Sequence, residues 1–87
     1  MTGPPPARIS RRLSEPRPAA VRVGPGGRPE AVGGRRVDAV RESWLVEDRW
    51  WTAAPLRRGY WEVVTTDGRV RVVFRDLEGG AWFAQPA

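Results

Sequence analysis

From Arg57 to Arg75 the chain reads as a β-hairpin. Tyr60-Trp61-Glu62-Val63-Val64-Thr65 runs into Asp67-Gly68, and Val70-Arg71-Val72-Val73-Phe74-Arg75 runs out of it. Asp-Gly between two β-prone runs is a strong signal for a tight hairpin turn. With Asp67-Gly68 as a two-residue loop, Trp61 faces Phe74, Val63 faces Val72 and Thr65 faces Val70, all on one side of the ribbon. The other side carries Tyr60 opposite Arg75, Glu62 opposite Val73 and Val64 opposite Arg71. This register predicts one almost wholly apolar face that must be buried. Its Trp61, Val63, Val70, Val72 and Phe74 would contribute about 1.5–3 kcal/mol each. A slip of one residue would mix the two faces.

Shorter patterns surround the hairpin. Ala19-Ala20-Val21-Arg22-Val23 alternates and predicts a short strand, and Gly24-Pro25-Gly26-Gly27 predicts a turn. Residues 28–32 predict a second strand, with Pro29 confined to an edge or a strand start. Gly33-Gly34 suits a two-residue loop in which both φ angles are positive. Residues 35–47 are ambiguous. Val37, Val40 and Trp44 recur at i, i+3 and i+7, as on a helix, whereas Val40, Trp44 and Val46 share strand parity. The preceding Gly-Gly turn and the β-rich neighbours favour a long bulged strand over a short helix. Glu78-Gly79-Gly80 predicts a second turn and residues 81–84 a last strand, with Trp82 toward the core. The expected fold is all-β: an antiparallel meander of five or six strands over residues 19–87, curled into an open barrel of SH3-like size. Residues 1–18 read as a disordered arm. Pro4, Pro5, Pro6, Pro16 and Pro18 break helices and donate no hydrogen bond. Ile9 and Leu13, the only large apolar residues there, could form one helical turn against a partner.

Composition agrees with a chain of which part folds. Nine Pro and ten Gly in 87 residues approach the level at which disorder is expected. All five Trp lie from Trp44 onward, where large rings extract more burial from a small domain. With no Cys, neither a disulfide nor a thiolate metal site is available, and a cytoplasmic protein is the simpler expectation. No apolar run approaches a membrane span, and Met1-Thr2-Gly3-Pro4-Pro5-Pro6 lacks the apolar centre of a signal peptide. All fifteen basic residues are arginine, as a GC-rich genome would favour. Residues 1–43 hold nine of them against Glu15, Glu30, Asp38 and Glu42, a net of +5, while residues 44–87 balance to zero. A basic half can hold phosphates through counterion release, and equally can keep a small domain soluble.

Catalytic equipment is sparse. His, Cys and Lys are absent, and Ser10, Ser14 and Ser43 sit in no nucleophile motif. Glu47-Asp48 and Asp76/Glu78 are the only carboxylate clusters, at strand ends or turns where acids are ordinary. No metal-ligand spacing, cofactor motif or small-molecule site stands out, so a non-enzymatic protein is expected. Trp50-Trp51 is more informative. On a strand, neighbours point to opposite faces, which would leave one ring exposed as a partner anchor or base-stacking platform; burial of both at a barrel corner is the alternative. Arg57, Arg58, Arg71 and Arg75 around Tyr60 have the composition of a single-strand nucleic-acid surface. Because this half of the chain is neutral, plain packing is favoured there, with Arg75 over Tyr60 and Arg71 near Glu62.

The succession Trp50-Trp51, Arg57-Arg58, Tyr60-Trp61, Val63, Asp67-Gly68-Arg69, Val73-Phe74-Arg75, Gly80 and Trp82-Phe83 resembles the C-terminal segment of bacterial Y-family polymerase homologues of the ImuB type. Those are non-catalytic hubs of a mutagenic translesion-synthesis assembly. More widely, Glu15-Pro16, Val21-Arg22-Val23, Gly34-Arg35, Val37, Val40, Trp44 and Trp50-Trp51 resemble a family of small actinobacterial-type domains of unknown function, often encoded beside DNA-repair polymerase genes. The resemblance implies a stand-alone accessory module for translesion synthesis, without catalysis, since no polymerase carboxylate motif is present. The chain departs in its Pro/Arg-rich N-terminus and in Ala81, where a polar or basic residue is more usual. Two expectations follow. In the first, a protein-interaction module meets a DNA-polymerase-type partner through Trp50, Trp51, Arg57, Arg58 and Tyr60. In the second, a nucleic-acid binder places Arg8, Arg11, Arg12, Arg35 and Arg36 on phosphates.

Overall fold

The computed structural model describes residues 15–48, 53 and 55–86. Among these residues seven strands join in one antiparallel sheet: β1 (Arg17–Pro18), β2 (Val21–Val23), β3 (Pro29–Val32), β4 (Arg35–Asp48), β5 (Leu56–Thr65), β6 (Val70–Asp76) and β7 (Trp82–Gln85). Their order across the sheet is β1-β7-β6-β5-β4-β3-β2. Only Ala19 and Ala20 separate β1 from β2, yet these two strands lie at opposite ends of the sheet. The sheet must therefore curl until its ends meet. The Ala19 N–H donates to the Trp82 carbonyl at 3.0 Å on one edge, and the Ala20 carbonyl accepts from the Gly33 N–H at 2.8 Å on the other. The result is an open half-barrel, the all-β architecture expected from the pattern, with β1 and β2 straddling its seam. No helix among the described residues is long and apolar enough to cross a membrane.

Local chemistry accounts for most of these elements. Pro29 opens β3, where a missing N–H is tolerated. Gly33 and Gly34 turn from β3 to β4 with φ of 58° and 81°, as a two-residue hairpin loop requires. Arg17 and Pro18, expected in the arm, instead pair with Ala84 and Phe83 of β7, since an edge strand accommodates a proline. The rest of the expected arm, residues 1–14, lies outside the described residues.

Residues 35–47 are strand, not helix, and their helical-looking spacing has a β explanation. The β4–β5 register shifts between Val37 and Ala39 and again between Val40 and Glu42. Each shift inserts one extra residue, Asp38 and then Arg41, so that face parity flips. Val37 and Val40 consequently both point inward at i, i+3. Trp44 and Val46 share parity with Val40 in the sequence, but the bulge at Arg41 turns them to the outside.

The hairpin of β5 and β6 differs from the predicted one by a single residue. The Thr65 N–H donates to the Arg69 carbonyl at 2.9 Å and the Gly68 N–H to the Thr65 carbonyl at 2.8 Å, which makes Thr66-Asp67-Gly68 a three-residue loop. Gly68 takes φ of 83°, the left-handed position of that loop type. Trp61 therefore opposes Val73, Tyr60 opposes Phe74, Glu62 opposes Val72 and Val63 opposes Arg71. The expected pairs Trp61/Phe74, Val63/Val72 and Thr65/Val70 do not form, and the purely apolar face does not exist. The observed register sends Trp61, Val63, Thr65, Val73 and Arg71 inward. Tyr60, Glu62, Val64, Val70, Val72 and Phe74 go outward.

The core is what the inner face provides. Val32, Val63 and Val73 are buried, and Val21, Val37, Val40, Trp61, Trp82 and Ala84 pack against them. Trp82 does face the core, as the sequence predicts, and Phe83 takes the outer face. The Asp76–Ala81 turn is closed by the Gly80 N–H donating to the Asp76 carbonyl, with Gly80 at φ of 87°.

The register carries its own test. Val73 is 0% exposed and Val70 is 47% exposed. Val73→Ala should lower unfolding free energy by about 2 kcal/mol, and Val70→Ala by less than about 0.5 kcal/mol, read from urea denaturation. The reverse order, with the larger loss at Val70, would restore the two-residue loop.

Candidate functional site

The one-residue register change builds a feature on the outside of the half-barrel. Trp44 opposes Tyr60, Tyr60 opposes Phe74 and Phe74 opposes Phe83, so four aromatic side chains from β4, β5, β6 and β7 stand in one cross-strand row. Ring centroids are 5.2 Å apart for Trp44 and Tyr60, with planes 8° from parallel. They are 4.9 Å apart for Tyr60 and Phe74 and 5.2 Å for Phe74 and Phe83. These spacings are those of favourable aromatic contacts. Pro18 opposes Phe83 and ends the row at β1.

Exposure grades along the row. Phe74 is only 2% exposed, Tyr60 and Phe83 are half-buried, and Trp44 at the β4 end is 39% exposed. The Arg58 guanidinium carbon lies 4.5 Å from the Phe74 ring centroid, and an Arg58 N–H donates to the Tyr60 hydroxyl at 3.3 Å. Arg58 thus closes one side of the row by a cation–π contact of about 0.5–1 kcal/mol. Beyond it, Pro16, Pro55, Leu56, Phe74, Phe83 and Arg58 line a groove of about 340 Å³.

On the other side of the row, Glu42 stands directly opposite Glu62. Like charges across a strand pair are destabilising, and neither carboxylate has a cationic partner among the described residues. With Asp76 opposite Arg58, the outer face carries aromatic rings set among acids, with Arg58 as their neighbouring cation.

The sequence-predicted partner residues separate under this geometry. Arg58 and Tyr60 come together in the aromatic row. Arg57 points to the opposite face, where its guanidinium bridges Glu47 at 3.1 Å and Glu78 at 3.6 Å. Trp50 and Trp51 lie outside the described residues. The expected packing of Arg75 over Tyr60 is replaced by Arg58 over Phe74. Arg71 reaches not Glu62 but Asp67, at 3.5 Å. Both carboxylate clusters are structurally occupied: Glu47 and Glu78 hold Arg57, and Asp76 accepts the Glu78 N–H at 3.0 Å within its turn. Trp44, Phe74, Phe83, Glu42 and Glu62 were missed. A three-residue loop, the next most common hairpin connection, is the signal that turns Phe74 outward, whereas Trp44 and Glu42 depend on the bulge at Arg41.

The predicted phosphate-binding residues also divide. Arg8, Arg11 and Arg12 lie outside the described residues. Arg35 is engaged with Asp67 at 3.6 Å. Arg36 is exposed and, with Arg22 and Arg28, lines a separate groove of about 450 Å³ beside β2–β4 that also holds Glu30 and Asp38. Arg22 lies 3.9 Å from Glu30, whereas Arg28 and Arg36 have no acidic partner among the described residues.

Asp67 is the electrostatic knot of the fold. Arg35, Arg69 and Arg71 all lie within ion-pair distance of its carboxylate, and the buried Thr65 hydroxyl donates to it. The Thr65 hydrogen bond, above all, holds the Asp67 carboxyl below its ordinary pKa; burial opposes this, while the Arg69 N–H and the charges of Arg35 and Arg71 add to it. A carboxylate depressed in the folded state stabilises the fold above the ordinary carboxylate range. That contribution is lost as the pH falls through the folded value.

No family model, no curated protein and no solved structure matches the chain.

Asp67→Asn should lower the thermal midpoint at neutral pH and should narrow the gap from the native chain as the pH falls below about 4. Parallel curves for the two proteins over that range would remove Asp67 from this role.

Proposed function

We propose that this chain is a non-enzymatic protein-interaction module that docks its partner across the outer aromatic row of the half-barrel. The observation that carries the reading is the row itself: Trp44, Tyr60, Phe74 and Phe83 aligned across four strands on the face away from the core, with Arg58 seated on it. Phe74 is buried within the row, while Trp44 stands exposed at its β4 end. Trp, Tyr and Arg are also the residues that dominate binding energy at protein interfaces. The sequence resemblance supplies the partner class, a DNA-polymerase-type protein in bacterial translesion synthesis or damage tolerance.

A nucleic-acid reading has support at the other pole of the molecule. Arg28 and Arg36 in their groove could hold phosphates. The aromatic row is a poorer seat for a strand of nucleic acid, because Glu42, Glu62 and Asp76 around it repel phosphates.

Two measurements separate the readings. With an ImuB-type polymerase homologue as the immobilised partner, Trp44→Ala should weaken binding by roughly thirtyfold, the scale of a hot-spot residue. Arg57→Ala, on the opposite face, should leave it unchanged while circular dichroism stays native for both. Equal effects, or none, would contradict the aromatic docking surface. In a titration of labelled single-stranded DNA at two salt concentrations, tight binding with a steep salt slope that Arg28→Gln plus Arg36→Gln abolishes would favour the second reading.

A further inference from the structure

The outer edge of β4 is bare for most of its length. β3 pairs with it only at Arg35 and Arg36, and among the described residues no strand joins that edge from Val37 to Glu47. At about 3.3 Å per residue this leaves an unpaired edge on the order of 40 Å long. Trp44 and Leu45 on it are 39% and 56% exposed. A long edge with exposed apolar side chains is a template for a further strand.

We propose that the added strand is β4 of a second copy of this chain, paired antiparallel and centred on Trp44. Symmetry restricts the choices. The two-fold axis relating antiparallel copies of one strand stands perpendicular to the sheet and keeps outer face with outer face. Opposed residues must therefore share a face, so the axis passes through a residue, and Ser43, Trp44 and Leu45 are the centres nearest the exposed apolar pair. The Ser43 centre sets Glu42 against Trp44. The Leu45 centre sets Glu42 against Asp48, two acids. The Trp44 centre sets Ser43 against Leu45 and Glu42 against Val46, and brings Arg41 to Glu47 twice. Arg41, the extra residue of the bulge, is exposed and has no acidic partner among the described residues. Glu47 holds Arg57 at 3.1 Å, yet its side chain is 48% exposed and can accept a second cation. Of these three, the Trp44 register is self-complementary in charge.

Dimerisation of this kind covers Trp44 and Leu45 and extends the sheet through the two-fold axis. It also joins the two aromatic rows end to end, Trp44 against Trp44, into one band running from Phe83 of one copy to Phe83 of the other. The pairing shares Trp44 with the outer row, and its charge contacts, Arg41 and Glu47, lie off that row.

Sedimentation velocity of the full chain over a concentration series tests it. The native chain should move from monomer toward dimer as concentration rises. Arg41→Glu and Glu47→Arg should each weaken association by roughly tenfold or more, because each sets like charges together. An equimolar mixture of the two variants should recover it. In the mixed pair the introduced acid meets the introduced guanidinium, and the unchanged Arg41 and Glu47 of the two copies meet as before. Recovery in the mixture also shows that both variants fold. Leu45→Lys, at an exposed position, should weaken association as well. A native chain that stays monomeric throughout would overturn the proposal. So would variants that associate as the native chain does, or a mixture no stronger than its components.

Discussion

The loop Thr66-Asp67-Gly68 decides which side chains of β5 and β6 face the core. Because successive residues of a strand alternate between faces, a loop of three residues rather than two inverts the assignment on one arm relative to the other. Gly68 permits the loop by taking a positive φ at little cost. Asp67 holds it through Thr65 and three arginines, one of them on β4 and one on β6. The Thr66 N–H also donates to the Arg36 carbonyl at 2.9 Å, tying the loop to β4. Core and candidate site both inherit this register. Val63 and Val73 meet Val32 inside, and Tyr60 and Phe74 meet outside. A two-residue loop would have buried Phe74 against Trp61 and left no aromatic row.

The bulges in β4 extend the same logic to the neighbouring strand. Asp38 lets Val37 and Val40 both reach the core, and Arg41 then turns Trp44 outward in time to stack on Tyr60. Inner face and outer face are thus set by three local irregularities, each worth one residue. The seam adds a global constraint. With Ala19 bonded to one edge and Ala20 to the other, the sheet must curve, and its curvature leaves the row on the convex side. The charge is also divided: Arg28 and Arg36, without acidic partners among the described residues, lie near β2–β4, while acids surround the aromatic row.

Much of this was legible in the sequence, and what was not has a physical cause. The all-β class, the Gly33-Gly34 turn, the strand start at Pro29, the bulged strand over 35–47 and the inward Trp82 follow from patterns whose chemistry is local. The hairpin register did not follow, because Asp-Gly is compatible with loops of two or three residues and the choice rests on Asp67 contacts made across strands. The helical spacing of Val37, Val40 and Trp44 is the trace of two bulges, and periodicity alone cannot tell a bulged strand from a helix. Of the candidate site, Arg58 and Tyr60 were found because basic and aromatic residues adjoin in the chain. Trp44, Phe74 and Phe83 were not, because they meet only across strands. Arg57 was grouped with Arg58 by adjacency, although alternation sends neighbours to opposite faces.

The candidate site therefore stands on the cross-strand alignment of Trp44, Tyr60, Phe74 and Phe83. Nuclear Overhauser contacts between assigned aromatic ring protons measure it directly. Contacts are expected between Trp44 and Tyr60, between Tyr60 and Phe74, and between Phe74 and Phe83, with none between Trp61 and Phe74. A Trp61–Phe74 contact with no Tyr60–Phe74 contact would contradict this register, since the rings would then lie on the core face and the outer row would not exist.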